Sequence, residues 1–175
     1  MPEYTDIYAL GEHRTEEAII RFLDHFLPAR IESADEYEIP QYSKTPEKVF
    51  ATAAELISHC CKNPTEIHTI YWRSDAQQEH AMVFFLRDGA LVFGISTPSD
   101  AHEQVDRIAA DLGAHLNTEE VIVTYEDLPP ESSKAFHALY GSLPSNPDET
   151  GRWSRAHRPI KGEHDEDGKA SPAIS

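Results

Sequence analysis

Two neighbouring thiols, Cys60 and Cys61, preceded by His59 and followed by His68, are the residues best suited to covalent chemistry. A thiolate activated by an imidazole is a nucleophile. Their placement argues for packing instead. They fall at the end of a helical pattern, where the helix dipole is negative and gives a thiolate no help. Cys60 also continues that helix's apolar stripe. No catalytic residue is assigned. Adjacent cysteines rarely meet disulfide geometry with each other, so the pair predicts a reducing, cytoplasmic setting.

Ten histidines raise the question of a metal. They stand at 13, 25, 59, 68, 80, 102, 115, 137, 157 and 164, with no H-E-x-x-H, no C-x-x-C and no pair at i, i+4. The run "HDEDG" (164–168) is only a loose match to a divalent-cation loop. No metal and no cofactor are expected. Phosphate-cradling glycine motifs are missing, and "GIS" at 94–96 lacks the second glycine of a nucleophile elbow.

Charge points toward binding. The 175 residues carry a formal charge of −16, which disfavours nucleic acid, whose phosphates need a basic footprint. Residues 151–175 are net +1, so residues 1–150 carry −17. Such a body favours fast association with a basic protein. The stretch "ESADEYEIPQYSKTPEK" (32–48) concentrates this character. Glu32, Asp35, Glu36 and Glu38 supply steering charge, while Tyr37 and Tyr42 supply anchor area. These six form the candidate binding set. A plain solvated connection, with its tyrosines folded back on the domain, is the competing reading.

The elements that must position these residues follow from periodicity. "YTDIYAL" (4–10) predicts a strand. Thr15 caps a helix with Ile19, Phe22, Leu23, Phe26 and Leu27 at helical spacing, stopped by Pro28. A short edge strand falls within 36–42, where Pro40 argues against a central one. Thr45 and Pro46 open a second helix, 46–61, whose stripe runs from Val49 to Cys60. Strands follow at 66–74 and in a hairpin over 80–96, where Asp88-Gly89 predicts a two-residue type I′ turn with Leu86 opposite Leu91 and Phe84 opposite Phe93. In "YWR" (71–73), alternation puts Trp72 with Ile70 on one face, which reads as core, and Tyr71 with Arg73 on the other. A third helix starts at Ser99 or Asp100, a strand covers 119–128, and a fourth helix carries Phe136, Leu139 and Tyr140.

The order predicts an α+β domain over 1–144: a two-layer sandwich with an antiparallel or mixed sheet of about five strands, helices mostly on one face. Residues 145–175 read as a largely disordered, charged tail, with a basic run at 152–161. No apolar run is long enough for a membrane span, and no secretory signal opens the chain.

Composition and motifs together fit a non-enzymatic acidic cytoplasmic binding protein, an immunity-type inhibitor or an adaptor for a basic protein partner. Bacterial immunity proteins that neutralise basic toxins are an analogy of class only. The alternative is a small enzyme or ligand-sensing domain. Its site would lie between the sheet and helix 46–61, using His68, Tyr71, Arg73 and Cys60.

Overall fold

The computed structural model describes residues 3–100, 102–143 and 153–156. The chain begins with β1 (Tyr4–Gly11), α1 (Glu16–Phe26), β2 (Arg30–Glu32), β3 (Tyr37–Ile39), β4 (Lys48–Phe50) and α2 (Ala53–Lys62). It continues with β5 (His68–Ser74), β6 (His80–Phe85), β7 (Leu91–Pro98), α3 (His102–Leu116), β8 (Val121–Thr124), α4 (Ser133–Ser142) and β9 (Trp153–Arg155). Seven strands form one antiparallel sheet in the order β2-β5-β6-β7-β1-β8-β9, and β3 and β4 pair separately.

Alternation divides the main sheet into two faces. Ile7, Ile70, Trp72, Val83, Phe93 and Ile95 point to the first, where α1, α2 and α3 bury Phe22, Leu56 and Leu112 against them. Tyr8, Met82, Phe84, Val92 and Ile122 point to the second, where Phe136 of α4 completes a smaller cluster. Burying an aromatic or branched side chain contributes roughly 1.5–3 kcal/mol, so the first face dominates stability. Trp72 is core, as its alternation with Ile70 predicts.

Four readings need correction. The sheet is antiparallel with three of the four described helices on one face, within the expectation, but it has seven strands, not about five, and α4 sits on the other face, so two layers do not describe it. Helix α2 starts at Ala53, because a closer cap wins over Thr45. Thr52 Oγ1 accepts from Glu55 N (3.3 Å) while Glu55 Oε2 accepts from Ala51 N (3.0 Å). The chain before it, 48–50, pairs with β3 instead. Finally, Trp153–Arg155 lies within the range read as tail, yet pairs with β8 as an edge strand. The remainder of 145–175 lies outside the described residues.

The hairpin is the fourth. Phe85 lies opposite Leu91 and Phe84 opposite Val92, one residue away from the predicted register. Of the two turn residues, only Gly89 takes a positive φ (86°), and Leu86 O accepts from Gly89 N while Leu86 N donates to Ala90 O. That is a three-residue loop with the glycine in the left-handed position, not a type I′ turn. The slip matters because it sends Phe84 and Phe93 to opposite faces. A Cβ at Gly89 meets nothing nearer than Pro64 Cβ at 3.6 Å, so a side chain there suffers from backbone angle rather than crowding. Gly89→Val is expected to cost about 1–2 kcal/mol or somewhat more, read as a lower chemical-denaturation midpoint. An unchanged midpoint would refute the turn.

Candidate functional site

The acidic segment 32–42 is partly consumed by its own folding. Glu32 Oε2 accepts from the Tyr37 hydroxyl (2.9 Å) and from Ala53 N (2.9 Å), so its carboxylate closes the start of α2. Tyr37 is buried, and burial with the Glu32 hydrogen bond holds its phenol well above the ordinary range. Glu38 Oε1 accepts from Tyr42 N (2.7 Å), closing a turn in which Tyr42 adopts φ 63°. Asp35, Glu36 and Tyr42 are exposed. Of the six candidates, three carry structure and three face solvent; Tyr42, 78% exposed, projects furthest.

The alternative site does not assemble. Cys60 is buried on α2 among the first-face core, and burial pushes its thiol up to about 12. Cys61 is raised as well, first by burial and then by Glu16. Both shifts oppose a thiolate at neutral pH. His68 is a strut: Nε2 lies 3.0 Å from Glu38 O and Nδ1 lies 3.0 Å from Thr69 O. Burial lowers its pKa, against the two carbonyl contacts that raise it, and the ring ties β5 to β3. Tyr71 lies on the other side of the sheet, packed against the second cluster, and Arg73 pairs with Asp75 at 2.7 Å. The four residues share no common space.

What the structure assembles instead is a trough on the second face of the sheet. Helix α4 covers only the end of that face near the β6–β7 turn, where Asp88 Oδ2 accepts from Ser133 N and Oγ at 2.7 Å. The chain from Tyr125 to Pro129 runs beside the rest, pinned where the Tyr8 hydroxyl donates to Asp127 O (3.0 Å). Three hollows line up along this wall. A cleft of about 900 Å³ holds Tyr42, Ile67, Tyr71, Phe84 and Leu128. A smaller cavity of about 270 Å³ shares Tyr71 and Leu128 with it and reaches Asp6, Tyr8, Ser96 and Glu126. A second cleft of about 770 Å³ shares Tyr4 and His80 with that cavity. Those two rings are stacked at 5.4 Å. Leu128 is 70% exposed and Ile67 46%, so the rim is apolar as well as aromatic.

Asp6 gives the middle of the trough its character. It is buried, yet no Lys or Arg pairs with it among the described residues. Burial raises its pKa, and Glu126 raises it further, against hydrogen bonds from Ser96 and the Glu126 backbone that lower it. Glu126 itself takes φ 54° and accepts from Glu3 N at 2.9 Å. Gly94 opens the floor: a Cβ there would lie 2.7 Å from Tyr8 Cε1. Arg87 is the one Lys or Arg lining the three hollows among the described residues. Reading for motifs passes over this site. The available signal is the alternation Tyr4, Asp6, Tyr8 in β1, which places a carboxylate between two tyrosines on one face.

The candidate site is thus a concave, aromatic and acidic surface. No family model and no curated protein matches the chain. A solved structure, a Pseudomonas aeruginosa T6SS protein, PA0821, is similar at 12% identity over 78% of this chain and 48% of that one, with a TM-score of 0.39. The chain spans about half that protein's length. A likeness of this size bears on neither fold nor function. Among the described residues, no helix is long and apolar enough to cross a membrane.

Proposed function

We propose that this chain is a non-enzymatic, acidic, cytoplasmic binding protein that engages a basic protein, as an immunity-type inhibitor or an adaptor does. The observation that carries the reading is the trough. Exposed Tyr42, Ile67 and Leu128 surround a surface in which carboxylates outnumber the single guanidinium. Exposed apolar side chains rimmed by polar ones characterise protein-binding surfaces, and complementary charge supplies rate and selectivity. Within the acidic segment, Asp35, Glu36 and Tyr42 then act at the interface, whereas Glu32, Tyr37 and Glu38 hold the segment in shape. The raised thiols of Cys60 and Cys61 favour this reading over the enzymatic one.

A pull-down from the native host at low and moderate salt tests it, with the wild type beside the double variant Tyr42→Ala, Leu128→Ser. Wild type is expected to retain a basic protein, more strongly at low salt, because screening grows with ionic strength. The double variant is expected to retain much less. Recovery of no basic protein at either salt would sink the proposal.

A further inference from the structure

The trough has two chemically different parts, and the difference identifies what each accepts. The cleft at one end is lined by apolar groups, among them Tyr42, Phe84 and Leu128, while the cleft at the other end sets Tyr4 and Tyr125 among polar groups such as Glu3 and Asp100. The hollow between them is the smallest of the three, lined by Tyr8, Tyr71 and Met82 with the carboxylates of Asp6 and Glu126. A buried carboxylate held near a second one, without a cation, is an arrangement that a cation relieves. An organic cation is the better match. Among the described residues, no three His, Cys, Asp or Glu converge to hold a metal ion. The tyrosine walls suit a delocalised cation, which lies against aromatic faces and donates to carboxylates in a planar fork.

We propose that the trough holds an extended segment of the basic partner, with one arginine or lysine side chain entering the central cavity to pair with Asp6 and Glu126. An apolar side chain of the same segment then occupies the cleft beside Tyr42, Phe84 and Leu128. Successive side chains of an extended chain point to opposite sides, so residues two apart can enter neighbouring hollows. The inference rests on the binding function proposed above and names the recognition element of that partner. Arginine is the better fit because of its planar fork.

The experiment is an amide chemical-shift titration of the full chain with arginine amide, beside citrulline amide, which has nearly the same shape without the charge. A single anchoring residue of this kind binds with roughly millimolar affinity. Arginine amide is expected to give saturable shifts confined to the surroundings of Asp6, Met82, Ser96 and Leu128, with citrulline amide at least about tenfold weaker. Asp6→Asn and, separately, Glu126→Gln are expected to weaken arginine amide by a similar factor. Glu17→Gln, an exposed site on α1 with the same change in net charge, should alter it less than twofold.

The melting temperature of Asp6→Asn checks that the variant folds. The pKa of Asp6 is higher folded than unfolded, so its contribution to stability is lost as pH rises through the folded value. Asp6→Asn therefore melts no lower than wild type at neutral pH. Shifts that spread over the acidic surface, fail to saturate, or are equal for citrulline amide would overturn the inference. So would a pull-down in which Asp6→Asn and Glu126→Gln retain the basic partner as well as wild type does; the binding function would then stand without this site. If wild type retains no basic protein while arginine amide binds as described, the function fails and the cation pocket remains.

Discussion

Phe93→Ala is expected to remove about 3–5 kcal/mol of stability, the largest loss from any single truncation argued for this chain. Phe93 is fully buried on β7, between β6 and β1, and its ring lies 4.8 Å from that of Phe22 on α1. It fills space that Gly11 leaves open, since a Cβ at Gly11 would lie 2.4 Å from Phe93 Cε2. Sheet backbone forms the floor of this space and α1 the roof, so little can collapse into the void. Alanine loses both the transfer energy of the ring and the contacts around it. Urea denaturation measures the effect as a fall in midpoint with an unchanged slope. A loss below about 1 kcal/mol would mean that the ring does not join α1 to the sheet.

Deleting 151–175 is expected to lower the melting temperature, although the composition of that segment reads as a dispensable tail. Trp153, Ser154 and Arg155 pair with Thr124, Val123 and Ile122, and Ala156 N donates to Val121 O at 3.0 Å. Arg155 lies over the Tyr140 ring at 4.7 Å and donates to the carbonyls of Tyr140 (2.9 Å) and Gly141 (3.1 Å) at the end of α4. Each hydrogen bond contributes about 0.5–1.5 kcal/mol and the cation–π contact about 0.5–1. Ordering costs about 1–2 kcal/mol per residue, which offsets most of the gain. The expected net loss is about 1–2 kcal/mol, or some 2–8 °C at this chain length. Calorimetry of the truncated chain decides it: an unchanged melting temperature would mean that β9 adds nothing to the domain. Trp153→Ala alone should reproduce part of any loss, since Trp153 packs against the second-face cluster.

Those parts of the fold whose signals are local were legible in consecutive residues. Helix α1 lies where Thr15 and the spacing of Ile19, Phe22 and Leu23 place it, with Thr15 Oγ1 accepting from Ala18 N. The meander β5-β6-β7 follows from β-rich runs joined by short turns, and Trp72 is core because Ile70 is its neighbour on one face. The packing of Cys60 was legible too, since it continues the apolar stripe of its helix. Periodicity and caps are properties of a few consecutive residues, and that is as far as they reach.

Features that depend on distant partners were set by contacts across the fold. Thr45 and Thr52 are both acceptable caps by type. Thr52 prevails because 48–50 finds a strand partner in 37–39, and Glu32 arrives from twenty-one residues away to bind Ala53 N. Glu32 and Asp35 look alike in sequence, yet one is spent on a helix start while the other faces solvent. Edge strands β2 and β9 have three residues each, too short for a period to show, and exist only because β5 and β8 offer them unpaired backbone. Asp6 is the sharpest case. A lone carboxylate in a strand reads as surface, but Tyr71, Met82 and Ser96 from β5, β6 and β7, with the 126–128 segment, surround it and leave a hollow above. Burial and electric field are sums over the whole fold, so no short stretch of chain encodes them.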